Sequence, residues 1–415
     1  MAIITSILSV FFLALISAAP QAPVALSAVS SAVPTPSASN QSTTLTTKEI
    51  DEIFNLHEDL VNIPSISNDE VKCAEFLSEY LTELGYYVEK VPVGDTGTYD
   101  VFAYPQALKD EGFWPEVLVT SHIDTVSPFY PFERREENGT VYHYGRGTVD
   151  AKGPIATMII ATHKFAQSRT ETPSLGMLFV VGEEIGGTGM KAFASYAQNT
   201  TFRAGVFGEP TQGKLASGHK GSLRLVFEVK GKSAHSEYPW LGVSAINYLA
   251  EAIVALNMLE PALPRSELLD ATTLNVGLIA GGLAGNVVPD IANASIVVRI
   301  ARSEDDAVSV VQDMISGILS PVVARAGAAN ATLDIVFSNT TYPAPILDTD
   351  VEGLEVAHVF FRTDIPSLTQ VGKRYLLGPR TIEVAHTPVE GLSQEELVQA
   401  AEAYGFILES LFARE

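Results

Sequence analysis

Hydrophobic residues first take up a regular spacing after Lys48. Ile50, Ile53, Phe54 and His57 recur at the 3.6-residue period, which predicts a helix with one buried face. A second helix is predicted over 69–84, stopped at Gly85, where the missing Cβ suits a C-cap. The period then changes. Residues 117–120 and 178–181 are short unbroken apolar runs that lead directly into polar residues, as buried strands do. Between them 154–167 is helical, with Pro154 where a first turn tolerates it. Residues 206–208 are read as a third such strand and 382–385 as a fourth. Strand, polar loop, helix, strand is the α/β pattern, and in such sheets ligands gather at the carboxyl ends of strands.

Beyond Lys214 the pattern is of another kind. Residues 223–230 alternate as a half-exposed strand should, and 243–258 are helical. Strands are predicted over 272–279 and 294–300, a helix over 305–324 and a last strand over 331–337. That order, β-α-β-β-α-β, is the ferredoxin-like arrangement. It interrupts the first domain, because 347–415 returns to strand and helix patterns that need a sheet to join. The expected division is a catalytic domain over 48–213 and 341–415, with an inserted α+β domain over 214–340. No internal repeat or coiled-coil period is evident.

The first 47 residues contain no Lys, Arg, Asp or Glu. An apolar run from Ile3 to Ile16, then Ser17, Ala18 and Ala19, reads as a secretory signal over 1–19, although no Lys or Arg follows Met1. The run falls short of the roughly 20 residues of a membrane span. Residues 20–47, rich in Ala, Ser, Thr and Pro, read as a flexible arm. The expectation is a secreted chain, free of the membrane after signal cleavage. N-glycosylation triplets at Asn40, Asn138, Asn199, Asn293, Asn330 and Asn339 support it.

Composition narrows the class. The chain has 415 residues, 46% hydrophobic, with 26 basic against 49 acidic residues and a formal charge of −23. It is globular, and its acidity argues against nucleic acid or an anionic membrane as partner. Cys73 is the single cysteine, so an intrachain disulfide is excluded; it reads as a small buried apolar residue.

Candidate chemistry sits where the apolar runs end. The first delivers His122 and Asp124, an imidazole with a carboxylate on the same face of an extended chain, suited to a metal ligand and its orienting partner; a strand-end pair that binds only water is the alternative. Next, Gly145, Gly147 and Gly153 surround Asp150 at the start of a helix. The loop lacks the Gly-Lys-Ser/Thr ending of a phosphate loop, which leaves an ordinary turn or a close-approach site. The strand over 178–181 leads to Glu183 and Glu184. Adjacent carboxylates point in different directions, so one can bind a metal while the other moves protons. Glu209 and His386 complete the set. Two imidazoles and three carboxylates suit a pair of divalent first-row metals bridged by one carboxylate. The other histidines, His57, His143, His163, His219 and His358, lack matching partners and read as structural or solvent-exposed.

From about Lys48 to the C-terminus this combination resembles the M20 family of metallopeptidases, which includes glutamate carboxypeptidases, aminoacylases and acetylornithine deacetylases. The motifs occur in family order and spacing. The resemblance implies a zinc-exopeptidase catalytic domain, its mixed sheet flanked by helices, and an inserted ferredoxin-like lid and dimerisation domain. It implies two zinc ions per subunit, bridged by Asp150, with His122 and Glu209 on one and Glu184 and His386 on the other. Asp124 would orient His122, Glu183 would be the general base, and the Asp150–Ala151 bond would be cis. In the inserted domain, His235 would stabilise the tetrahedral oxyanion, often from a partner subunit, which makes a homodimer an expectation. Asn286 and Arg299 would contact substrate, Arg299 through a carboxylate, and Gly378 would form a pocket wall.

The expected activity is that of a secreted metallocarboxypeptidase acting on peptides. An amidohydrolase for N-acyl amino acids would use the same site. A family member without activity, acting as a binding protein, is a third reading, against which the full ligand set and Glu183 speak.

Overall fold

The computed structural model describes residues 44–413 except Thr96. The expected signal, most of the arm, and Asn40 lie outside the described residues. The first helix, Thr47–Asn62, opens with a capping box: Thr46 Oγ1 accepts from Glu49 N at 3.3 Å and Glu49 Oε2 from Thr46 N at 2.6 Å. The helix buries Ile53, Leu56, His57, Leu60 and Val61, the stripe its period called for. The second helix is Val71–Glu83, and Gly85 follows at φ +90°, a conformation that favours glycine.

The central sheet has six strands in the order Tyr86–Pro92, Tyr99–Pro105, Leu175–Val180, Val117–His122, Phe202–Gly208 and Val371–Leu377. The first two pair antiparallel, and the second runs antiparallel to Leu175–Val180. The remaining four strands are parallel. The sheet is therefore mixed, as expected. Val117–His122 and Leu175–Val180 are buried at every position, which explains their unbroken apolar character. The helices Thr47–Asn62, Lys152–Gln167 and Gln394–Phe412 contribute Leu56, Ile159 and Tyr404 to the core cluster that also holds Val119 and Met177 of the sheet.

Four strands form a second sheet in the order Thr273–Gly281, Ile291–Ile300, Gly221–Lys230 and Thr332–Phe337, all neighbours antiparallel. With the helices Ala245–Leu259 and Ala307–Ala328 this is the ferredoxin-like order. Leu223, Leu225, Phe227 and Val229 share a separate core with Leu249, Leu256, Ile315 and Leu319 of those helices. This unit is the lid.

One expectation is corrected. Residues 382–385 do not form a strand: Ile382–Val384 is a 3₁₀ turn capped by Thr381, whose hydroxyl accepts from Glu383 N at 3.3 Å. The strand that joins the sheet on the return of the chain is Val371–Leu377. Lys373 and Arg374 interrupt its apolar run and hid it from the pattern. Charge likewise hid Tyr86–Pro92 and the wholly exposed Glu133–Glu137, which pairs with Thr140–Tyr144.

Candidate metal centre

Parallel strands place their carboxyl ends side by side. His122 is the last residue of Val117–His122, Glu183 and Glu184 follow Leu175–Val180, and Glu209 immediately follows Phe202–Gly208. Asp150 comes from the loop between Thr140–Tyr144 and Lys152–Gln167, and His386 follows the 3₁₀ turn at φ +64°.

These five residues meet in two groups, His122, Asp150 and Glu209 in one and Asp150, Glu184 and His386 in the other, with ligand atoms in each within 4.8 Å. Asp150 belongs to both. Its Oδ1 lies 2.9 Å from His122 Nε2 and its Oδ2 3.1 Å from His386 Nε2. His122 Nε2 is 3.8 Å from Glu209 Oε1, and His386 Nε2 is 2.9 Å from Glu184 Oε1. The first group is buried, whereas the His386 side chain is 47% exposed, so the pair is open on one side. Hard carboxylate oxygens with imidazole nitrogens, and one carboxylate whose two oxygens face two separate sets, fit a pair of divalent cations.

The supports are specific. Asp124 accepts from Glu183 N at 2.9 Å, Glu184 N at 3.2 Å and Ser67 Oγ at 2.7 Å. His122 Nδ1 lies 3.0 Å from Asp124 O and 3.4 Å from its carboxylate, so one aspartate fixes both the imidazole and the loop of the two glutamates. Glu390 Oε1 accepts from Gly147 N, Val149 N and Asp150 N at 3.0–3.3 Å, and its other oxygen pairs with the buried Arg146. His57 Nε2 lies 3.0 Å from Thr148 O in the same loop, and its Nδ1 2.9 Å from His143 Nδ1. The Asp150–Ala151 bond is cis. Gly378 packs on the main chain of Glu209; a Cβ there would lie 2.3 Å from Glu209 O, so only glycine fits. Its place is beneath a ligand rather than on an open wall.

The electrostatics ask for positive charge. Burial opposes a charged His122, yet the Asp124 and Asp150 carboxylates outweigh it and hold the imidazole well above its ordinary range. Hydrogen bonds to Asp150 and Glu184 lift His386 to about 10. Burial pushes Glu183 up to about 8, with the Asp364 carboxylate adding to it, and burial drives Glu209 up as well. Protons thus do here what divalent cations would do in their place.

Glu183 has a partner that the sequence did not suggest. Arg362 Nη2 donates to its carboxylate Oε1 at 2.8 Å and to its main-chain O at 2.6 Å. Asp364, two residues on, is buried close by, with both carboxylate oxygens unpartnered. Neither the spacing nor the periodicity of 360–364 sets these residues apart. Glu390, four residues after His386, had a signal only in its nearness to that histidine.

On the lid, His235 and Asn286 lie together: Ser236 N donates to Asn286 O at 3.0 Å, and the strands Ala234–His235 and Val287–Val288 pair. Their described hydrogen bonds are with lid residues, and His235 is exposed. This chain does not bring them into the ligand cluster. Arg299 does face the catalytic body: Arg362 and Glu183 are among its electrostatic neighbours, together with Tyr342, which bridges to the lid strand at Ser222. Asn138, Asn199, Asn293, Asn330 and Asn339 are all exposed. Cys73 is buried.

A family described as a peptidase dimerisation domain matches residues 217–322, the greater part of the lid. A probable carboxypeptidase of Ajellomyces dermatitidis is 41% identical over 392 residues, covering 88% of each chain. Among solved structures, a tripeptidase from Staphylococcus aureus superposes with a TM-score of 0.70 at 20% identity, covering 88% of this chain and 99% of the other. An M20 family metallo-carboxypeptidase from Sulfolobus solfataricus does so with a TM-score of 0.65 at 18% identity, covering 86% and 98%.

Proposed function

The chain belongs to the M20 family of metallopeptidases and is a metallo-exopeptidase, and from that premise we propose that it is a secreted, dinuclear-zinc carboxypeptidase. One observation carries the metal count: the two oxygens of Asp150 face two different histidines, each with its own further carboxylate. His122 and Glu209 would hold one ion, Glu184 and His386 the other, with Asp150 between. Two divalent cations there would supply Lewis-acid polarisation of the scissile carbonyl and make a water acidic near neutral pH.

The chain's own residues supply the rest. Asp124 keeps His122 oriented and holds the main chain of Glu183. Glu183 takes the proton of the attacking water and returns it to the leaving nitrogen. Arg299 receives the free carboxylate of the peptide. His235 of a second copy would approach the developing oxyanion, in keeping with its place on the lid. Secretion is supported by the apolar run before Ser17-Ala-Ala and by the exposed glycosylation triplets.

The test is a substrate library with metal analysis. Purified protein should release the C-terminal residue from N-blocked dipeptides, lose this activity to a chelator and regain it with zinc, with two zinc ions bound per chain. Hydrolysis of N-acyl amino acids with none of peptides would replace the proposal by the amidohydrolase reading. Protein recovered from the medium with residues 1–19 removed is the expected outcome for localisation.

A further inference from the structure

Among the described residues, two hydrogen-bond donors between the lid and the catalytic body have no acceptor. Arg299 Nη1 and the Tyr342 hydroxyl are buried and unpartnered. Both belong to the face of the lid sheet opposite its helices. Arg299 stands directly across from Ser222, and Ser222 exchanges backbone hydrogen bonds of 3.0 and 3.1 Å with Tyr342. Directly opposed residues share a face, so the small Ser222 lies between two larger donor side chains. Leu223, the next residue, points the other way into the lid core.

A third donor comes from the catalytic body. Arg362 is an electrostatic neighbour of both Arg299 and Tyr342. Its Nη2 is engaged twice with Glu183, once at the carboxylate and once at the main chain. Thr363, beside it, is fixed by a 2.9 Å contact with His219 Nε2. In a chain of formal charge −23, this cleft gathers two guanidinium groups and a phenol near the carboxylates of Glu183 and Asp364, of which Glu183 is the one held by Arg362.

Buried donors without acceptors are costly, and a group that only accepts relieves them; a carboxylate does so best, through charge-assisted and bidentate bonds. If the carboxypeptidase reading holds, on which this inference rests, that group is the free C-terminal carboxylate of the substrate. The Arg362 nitrogen nearest to Glu183 cannot serve both carboxylates fully. We propose that Arg362 is a specificity-determining residue that couples recognition of the substrate's terminal carboxylate, seated between Arg299 and Tyr342, to release of the Glu183 carboxylate for proton transfer. A bound substrate without that carboxylate leaves Glu183 paired. Discrimination then falls on kcat as well as KM.

The experiment compares an N-blocked dipeptide with its C-terminal amide, using metal-replete full-length enzyme. Wild type should favour the acid in both constants. In Arg362→Ala the kcat ratio of acid to amide should contract by about 10-fold or more, the scale of a charged hydrogen bond. Tyr342→Phe should raise KM for the acid and not for the amide. Calorimetry supplies a readout apart from turnover: the preference for a free amino acid over its amide should weaken in Arg362→Ala. Arg362→Lys and Arg362→Gln repeat the measurement with less loss of packing, each checked for metal content and melting temperature. A kcat ratio within twofold of wild type in every folded Arg362 variant overturns the proposal while leaving the carboxypeptidase reading intact. A wild-type enzyme that cleaves neither dipeptide overturns both.

Discussion

In the catalytic body the strands Val117–His122 and Leu175–Val180 are buried along their whole length, whereas the lid strand Gly221–Lys230 exposes Arg224, Glu228 and Lys230 from one face. A strand covered on both faces can offer functional groups only where it ends. A sheet covered on one face can offer them along its length. The ligand residues accordingly sit at strand ends and in the loops beyond them, held by Asp124 and Glu390. Arg299 and Ser222 sit within the ladder, one pair in from its end, and are fixed by the pairing itself. The floor of the cleft is therefore carboxylate and imidazole, built for cations, and its roof is cationic, built for an anion.

The comparison breaks first at the floor. Glu183→Ala should lower turnover on the order of 10²–10⁴-fold while metal remains bound. Metal content measured beside kcat decides the matter, since an active, fully metallated variant removes Glu183 from its role. Asp124→Asn acts one step further out. It keeps the shape but removes the carboxylate charge 3.4 Å from His122 Nδ1 and weakens the hold on the Glu183 main chain, and should cost about 10–100-fold in metal affinity or activity. Titration with a competing chelator measures it; unchanged affinity and unchanged activity together would show that Asp124 only packs.

The smallest expected effect concerns pH. Burial pushes His143 and His219 down to about 4, and His57 well below its ordinary value. In the unfolded chain all three take up protons near 6.5. Between about pH 6.5 and 4 the unfolded chain binds protons at these three positions that the folded chain refuses, so their contribution to stability falls as the pH falls. His143→Gln removes one of them without touching the ligand groups, so its denaturant midpoint at pH 5, relative to that at pH 7, should be higher than that of wild type. An equal difference between the two pH values in variant and wild type would contradict the argument.

Legibility followed the same division. Unbroken apolar runs marked the two innermost strands and pointed to His122, Glu183 and Glu184, while alternation marked the lid strand that begins at Gly221. Val371–Leu377 escaped notice because Lys373 and Arg374 are its half-buried members. Residues 382–385 misled because a short apolar run does not distinguish a strand from a turn. The pairing of Arg362 with Glu183, and of Glu390 with the Asp150 amide, joins residues far apart in sequence. Only the closed sheet sets those distances, and no local pattern encodes them.

The grip of Glu390 on the Asp150 loop also orders events in time. Synthesis delivers His122, Asp150, Glu184 and Glu209 before the lid, but His386 and Glu390 come only after it. A nascent polypeptide halted before residue 386 lacks one member of the second candidate ligand group. It also lacks the acceptor for three loop amides. The centre is thus completed only after the lid has been made, and a ribosome-bound chain carries an incomplete cutting site until then.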